Sequence, residues 1–166
     1  MSTIPFPLSR NSMNSSAAVL RIDGLGLMFQ QSDVRALESA SGLEGNAPMQ
    51  GSVGWISYMR QRWPVYCLSD QLDISGEVPP VRRTCALLAH ETGFFGMLCD
   101  DMAIIKPDSR QLLEVPAAMK NADTPILGLL PFGDKLLCVS NPSRMAAHIE
   151  QLVHKLSLPR ELPCLA

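Results

Sequence analysis

The chain has 166 residues, of which 46% are hydrophobic and 18% charged, and its fourteen basic and sixteen acidic side chains give a formal net charge of -2. This length and composition predict one globular domain or two small packed lobes with an aliphatic core, and they exclude a disordered protein. Because the net charge is slightly negative, we expect no nucleic acid partner. No apolar run approaches the roughly eighteen residues of a membrane span, and no leader signature opens the chain, so we expect a cytoplasmic protein without direct membrane insertion.

The cysteines are odd in number, and no two of them are closely spaced. Four of the five lie in apolar runs, which is typical of buried thiols in a reducing compartment. The five are Cys67, Cys85, Cys99, Cys138 and Cys164.

The first part of the chain predicts a disordered leader over residues 1–16 and a folded domain over residues 17–157, followed by a tail over residues 158–166. Residues 18–29 read AVLRIDGLGLMF, two apolar runs joined by Asp23-Gly24, a dipeptide suited to a hairpin turn. Residues 34–37 fit either one helical turn capped by Ser32 or a short strand, and the sequence leaves both open. Residues 39–51 are rich in Gly, Ser, Asn and Pro and predict a loop.

A second hairpin is predicted in GWISYMRQRWPVYCL, residues 54–68, with its turn at Arg60-Gln61-Arg62. The alternation of Trp63, Val65 and Cys67 with their neighbours is the period of a strand. Since proline has no backbone N–H, Pro64 predicts that this strand lies at a sheet edge or carries a bulge.

Two further hairpins and one helix follow. TCALLAH turns at Glu91-Thr92-Gly93 and returns as FFGMLCDDM, which predicts a bulged three-residue loop. Residues 126–130 and 135–139 flank PFGD and predict a hairpin. Asn141-Pro142 predicts the start of a helix, and we expect the apolar stripe of this helix to cover the core. About eight to ten short strands and one helix predict a mainly β protein made of small antiparallel barrels.

The sequence shows no arrangement that a catalytic site requires. It has no nucleophile elbow, no glycine-rich phosphate loop and no Cys or His pair at metal-ligand spacing, so we expect a protein that is not an enzyme and has no catalytic residue, cofactor or metal. Asp100-Asp101 and the three histidines are expected at the surface. Four arginines form either a basic strip or, as we prefer, separately hydrated charges: Arg60, Arg62, Arg82 and Arg83.

Three passages in order resemble the CheW-like family, the coupling domains of bacterial chemosensory arrays, over about residues 18–145. GWISYMRQRWPVYCL aligns without gaps with the family segment Gly-Val-x-Asn-Leu-Arg-Gly, a short spacer and Val-Pro-Val-x-x-Leu. FGMLCDDM follows the pattern Val-Gly-hydrophobic-hydrophobic-Val-Asp-x-Val. GLLPFGDKLLCVS matches a closing Gly-x-x-x-x-x-Asp-x-hydrophobic strand.

The resemblance implies two small SH3-like β-barrel lobes, interleaved along the chain, with a second lobe at about residues 81–140 and a groove between the lobes. It implies a noncatalytic scaffold that couples the regulatory domain of a CheA-type histidine kinase to the cytoplasmic tip of a chemoreceptor. Of the matching positions, the resemblance places four at the groove or its walls, and we add three from the altered hairpin as partner-binding candidates: Val34, Leu37, Gly54 and Gly96, then Met59, Arg60 and Trp63.

The departures from the family pattern fall where binding is expected. The motif's Arg position is Met59 and its Gly position is Arg60, and the acidic residue that often precedes Leu37 is Ala36. An exposed ion pair contributes about 0 to 1 kcal/mol, so its loss leaves folding intact but alters a binding surface. We therefore expect an altered partner, in a pathway for surface motility rather than swimming. The alternative is a stand-alone protein-interaction or small-ligand module outside chemosensory arrays.

Overall fold

The computed structural model describes residues 16–45, 49–119 and 124–157. The predicted tail, and the predicted leader apart from residue 16, lie outside the described residues. The described chain forms ten strands and one helix. In chain order the strands are β1 (Ala17–Ile22), β2 (Leu25–Gln30), β3 (Val34–Ser39), β4 (Gly54–Tyr58), β5 (Gln61–Tyr66), β6 (Thr84–His90), β7 (Gly93–Cys99), β8 (Asp101–Ile105), β9 (Gly128–Phe132) and β10 (Lys135–Val139), and α1 spans Pro142–Ser157.

The strands form two five-stranded sheets with the same internal order. One sheet runs β8-β1-β2-β10-β9 and the other β3-β6-β7-β5-β4. In each, one parallel pair, β10 with β2 or β5 with β7, joins two antiparallel units. Each sheet curls toward closure because the segment after its edge strand bridges to the opposite edge, Leu113 to Leu129 in the first and Glu44 to Trp55 in the second. We name the first sheet barrel A and the second barrel B.

The predicted mainly β fold, two small SH3-like barrels with a C-terminal helix, is confirmed. Barrel B is built from one continuous stretch, residues 34–99, whereas barrel A combines residues 17–30 with residues 101–139. The division that places a second lobe at about residues 81–140 stays a prediction, since strand pairing assigns sheets and does not by itself assign lobes.

A shared apolar core joins the barrels. Even-numbered positions of β1, such as Leu20 and Ile22, face side chains of barrel B, such as Leu88 and Met97, and the helix adds Met145 to the same cluster. The odd-numbered positions of β1 face into barrel A. Strand alternation therefore gives each inner hairpin one face for its own barrel and one for the shared core.

The four predicted hairpins are present, but three of their turns differ from the prediction. In the β9–β10 hairpin Phe132 pairs with Lys135, so the turn is Gly133-Asp134 and the first two residues of the predicted PFGD turn belong to β9. The β4–β5 turn is Met59-Arg60, because Tyr58 pairs with Gln61, and the predicted turn at 60–62 is wrong by one residue. The β6–β7 turn has two residues rather than three, since His90 pairs with Gly93. Asp23-Gly24 turns the first hairpin as predicted, with Asp23 at a φ of 54°.

Residues 34–37, for which helix and strand both stood open, belong to strand β3, preceded by a single 3-10 turn at Gln31–Asp33. The edge position predicted for the Pro64 strand is wrong: β5 lies between β7 and β4, and its pairing with β4 has no register shift. Pro64 is opposite Trp55, whose N–H donates to the Glu44 carbonyl, and the ladder to β7 begins only at Val65. The proline therefore removes no ladder hydrogen bond.

The helix has the predicted start. The Asn141 side chain accepts from the Arg144 backbone N–H at 2.8 Å, and Pro142 occupies the first helical position. Met145 and Ile149 are buried in the shared core, and Leu156 at the far end is exposed. His148, expected at the surface, is half-buried, and its Nε2 donates to the Leu72 carbonyl at 2.7 Å.

Candidate binding surfaces and the buried arginine

All seven predicted partner-binding residues lie on barrel B, but only some of them reach its surface. Met59 is 76% exposed and Leu37 is 45% exposed, and Arg60 is also exposed. Val34 is half-buried and packs against the shared core. The structure thus separates the candidates into exposed or half-buried residues and buried ones.

Gly54 and Gly96 belong to the buried group. A Cβ at Gly54 would lie 2.3 Å from the Glu44 carbonyl oxygen, and the residue has a φ of 150°. A Cβ at Gly96 would lie 2.7 Å from the Cys85 sulfur and 3.2 Å from a Val65 methyl. Both positions require glycine for close packing inside barrel B.

Trp63 is also a core residue. Its ring is tilted against that of Phe94, with 4.5 Å between centroids, and it meets Tyr58 edge to face at 5.9 Å. The indole N–H donates to the Tyr58 carbonyl at 3.3 Å. This aromatic group fills the end of barrel B beside the β4–β5 turn, so Trp63 supports the hairpin from inside.

The β4–β5 turn is the most exposed part of the predicted surface. Met59 and Arg60 have φ values of 49° and 63°, the two consecutive positive values of a type I′ turn, although neither residue is Gly, Asn or Asp. The guanidinium of Arg62 lies over the Trp55 ring at 4.7 Å. The turn therefore presents an apolar side chain beside two cationic ones.

Arg82 corrects the expectation for the four arginines. It is neither a hydrated loop charge nor part of a surface strip, because only 2% of it is exposed. Its Nε donates to Asp100 at 2.8 Å, one Nη donates to Asp23 at 2.9 Å, and the other Nη donates to the Leu68 carbonyl at 2.6 Å. Asp23 belongs to the β1–β2 turn of barrel A, so this arginine ties that turn to the loop after β5.

Of the two aspartates expected at the surface after β7, Asp101 is exposed as predicted, whereas the Asp100 side chain is only 12% exposed. Asp100 accepts from Arg82 and from the Asp23 backbone N–H, and Asp101 pairs with Arg21. Within the described residues, no group of three or more His, Cys, Asp or Glu side chains is placed to hold a metal ion.

The buried thiols are poor nucleophiles. Burial raises the pKa of Cys99 to about 12 and moves that of Cys85 further above its ordinary value. Burial also raises the pKa of Cys67, against the opposing effect of the Arg82 guanidinium, and that of Cys138. Since the thiolate is the reactive form, these side chains act as small apolar core residues at neutral pH.

No helix in the described part of the chain is long and apolar enough to cross a membrane.

These features define a CheW-like fold: two SH3-like barrels joined by a shared core and followed by a helix. Among solved structures, the chain is similar to the scaffolding protein TtCheW from Thermoanaerobacter tengcongensis, with a TM-score of 0.62 and 14% sequence identity. The match covers 77% of this chain and 89% of that protein. No protein-family model matches the sequence, and no curated protein does.

Proposed function

We propose that this chain is a noncatalytic adaptor of bacterial chemosensory signalling, located in the cytoplasm, that binds the regulatory domain of a CheA-type histidine kinase and the cytoplasmic tip of a chemoreceptor. The observation that carries the proposal is the shared two-barrel fold, which extends over most of this chain and most of a CheW scaffolding protein. The aligned passage at residues 54–68 forms the β4–β5 hairpin, and its turn residues Met59 and Arg60 are exposed.

The exposed members of the predicted set are the proposed contacts. Met59 and Leu37 offer apolar surface, Arg60 adds a cation, and Val34 lies at the boundary with the shared core. An exposed apolar side chain beside polar or charged ones is a common centre for a protein interface. Gly54, Trp63 and Gly96 contribute indirectly, because they hold the shape of the hairpin and the sheet.

The altered turn supports a partner that differs from the usual one. Met59 and Arg60 stand where the family pattern has Arg and Gly, and both are exposed. We infer that the contact made here is apolar rather than an ion pair, which fits a divergent pathway such as surface motility.

Isothermal titration of the chain with the kinase regulatory domain from the same organism tests the adaptor proposal. We expect binding with a dissociation constant below about 30 µM, roughly 6 kcal/mol of binding free energy. Met59→Ala should weaken it about tenfold if this side chain is central to the interface. Lys155→Gln, an exposed change on the helix, is the matched control. Absence of binding to both the kinase domain and a receptor-tip peptide at that concentration contradicts the proposal.

A second candidate function is a stand-alone module that binds a small ligand. The observation in its favour is a cavity of about 420 Å³ in barrel A, within the common size range of small-molecule sites of roughly 300–1,000 Å³. The two functions are distinguished by the titration, since a ligand module would show no kinase association.

A further inference from the structure

The cavity in barrel A opens at the end that carries the strand turns. Its walls are apolar and small, formed by Val19, Gly26, Ala103 and Leu137. Three charged side chains stand among its lining residues, Arg21, Asp101 and Lys135. The half-exposed ring of Phe132 completes one side.

The matching strand order of the two barrels shows why the cavity exists. Gly54 pairs with Val65 in barrel B as Gly128 pairs with Val139 in barrel A. On the neighbouring strand, Val65 faces Gly96 and Val139 faces Met28. Counting back two residues from these positions makes Gly26 of barrel A the counterpart of Phe94 in barrel B. By the same register, Leu137 is the counterpart of Trp63.

Barrel B has aromatic rings at both of these positions, whereas barrel A has no ring at either. The Phe94 ring packs on Trp63 with 4.5 Å between centroids. In barrel A the corresponding pair is Gly26 and Leu137, and a Leu137 methyl lies 2.6 Å from where a Gly26 Cβ would be. The Leu137 side chain covers Gly26, but it fills only part of the volume that two aromatic side chains fill in barrel B. Barrel A therefore has less aromatic volume than barrel B at these two positions, and its cavity of about 420 Å³ has room for a planar apolar ring.

The charges among the lining residues indicate what the ring should carry. Arg21 pairs with Asp101, which leaves Lys135 as the excess positive charge among the three. A carboxylate attached to the ring can face Lys135 and share the Arg21 guanidinium, whereas an ammonium group would face the excess cation among the charged lining residues.

We propose that the open end of barrel A binds a small aromatic carboxylate, with its ring against the apolar wall of Val19, Ala103 and Leu137 and its carboxylate toward Lys135 and Arg21. This inference goes beyond the adaptor proposal and does not depend on it, because the surface residues proposed for the kinase lie on barrel B.

Titration of the full chain with phenylacetate, followed by methyl NMR spectra, tests the proposal. We expect saturable shifts at Val19, Ile105 and Leu137, which line the cavity, and no comparable shifts at Leu37 or Leu156, which are exposed elsewhere. The affinity should be in the millimolar range expected of a ligand this small. Phenylacetamide, the uncharged analogue, should bind at least about threefold more weakly because it lacks the charge-assisted contact.

Charge variants test the orientation of the ligand. Lys135→Gln should remove most of the preference for phenylacetate over phenylacetamide, and Lys155→Gln should leave it unchanged. Asp101→Asn releases Arg21 from its ion pair and should strengthen phenylacetate binding, since the charged residues then carry two uncompensated cations. All three positions are exposed, so these variants are expected to fold.

A filling variant tests the location. Ala103→Phe places a ring in the cavity from the exposed edge strand β8 and should abolish the methyl shifts, whereas Ala103→Ser should retain them. The proposal is overturned if phenylacetate gives no saturable shift up to about 20 mM, well above millimolar affinity. It is also overturned if the amide binds equally well, or if Ala103→Phe binds phenylacetate as the unmodified chain does; the last two results would assign the shifts to nonspecific contact.

Discussion

Replacement of Arg82 by methionine should destabilise the protein more than any other change to a charged side chain described above. The substitution keeps much of the apolar stem but removes a guanidinium that is almost fully enclosed and donates to Asp100, Asp23 and the Leu68 carbonyl. Removing one partner of a buried ion pair costs about 3 to 5 kcal/mol, because the remaining charge loses its compensation. The Asp100 side chain is 12% exposed and feels this loss most, while the half-exposed Asp23 can recover hydration.

We therefore expect Arg82→Met to lower the free energy of unfolding by about 3 kcal/mol, the low end of the range for a buried pair. For a protein of this size, that corresponds to a fall in Tm of roughly 6 to 12 °C. Urea unfolding followed by far-UV circular dichroism measures the loss, and an unchanged m value would show that the unfolded state is not altered.

Two companion variants isolate the cause. Arg83→Met changes the adjacent, exposed arginine and should alter stability by no more than about 0.5 kcal/mol. Arg82→Lys keeps the charge but cannot donate to three acceptors in the same planar arrangement, so it should recover only part of the loss. A loss below about 1 kcal/mol in Arg82→Met, or equal losses at positions 82 and 83, would refute the assignment of a buried cross-link.

Three further outcomes follow from the packing and the backbone. Trp63→Ala should lower stability by about 3 to 5 kcal/mol and flatten the near-UV circular dichroism signal, and a loss under 1 kcal/mol would place the ring outside the core. Arg60→Gly relieves the strain of a positive φ, so it should leave the free energy of unfolding unchanged or raise it by up to about 1 kcal/mol. Gln61→Gly, in strand β5, should lower it. A more stable Gln61→Gly than Arg60→Gly protein would contradict the turn geometry. The pKa of the Cys99 thiol rises from 9.0 to about 12 on folding, so the unfolded chain loses this proton first as the pH increases. The free energy of unfolding should therefore decrease as pH rises through that interval. Denaturation midpoints that stay constant from pH 8 to 11 for wild type relative to Cys99→Ala would count against this.

Local patterns were sufficient to predict most of the hairpins and the helix. Asp23-Gly24 combines two residues that tolerate a positive φ, and Asn141-Pro142 combines a cap with a residue already set for the first helical turn. In each case one short segment contains the cause of its own conformation. The β4–β5 turn contrasts with them, because Met59-Arg60 has no such signal and its position is imposed by the pairing of Trp63 with Ile56 and of their neighbours along the two strands.

The buried arginine and the exposed surface depend on segments that are distant in sequence. Arg82 meets Asp23 and Asp100 only because the β1–β2 turn and the end of β7 converge, and no local pattern reports that convergence. The burial of Gly96 likewise depends on Cys85 and Val65 from two neighbouring strands. Strand alternation predicts which residues share a face, but the identity of the face requires the whole sheet.

The cavity in barrel A depends on a difference between the two barrels rather than on any single strand. Neither Gly26 nor Phe94 is unusual in its own strand, and the difference between them has meaning only once the two barrels are aligned by their hydrogen-bonded registers. The corresponding residues differ in type, Gly26 against Phe94 and Leu137 against Trp63, so this comparison required the structure.

The way the two sheets divide the chain also governs the order in which they can form during synthesis. Residues 34–99 contain every strand of barrel B, so this unit is complete once β7 has left the ribosome. The strands of barrel A come from two distant parts of the sequence, because Ala17 pairs with Ile105 and Met28 pairs with Val139. The β1–β2 hairpin is therefore synthesised before its partner strands β8 and β10. Until those strands are made, barrel B is the folded unit that can cover the apolar face of β1 and β2. The shared core thus allows the nascent chain to bury one face of the β1–β2 hairpin before the rest of its sheet has been synthesised.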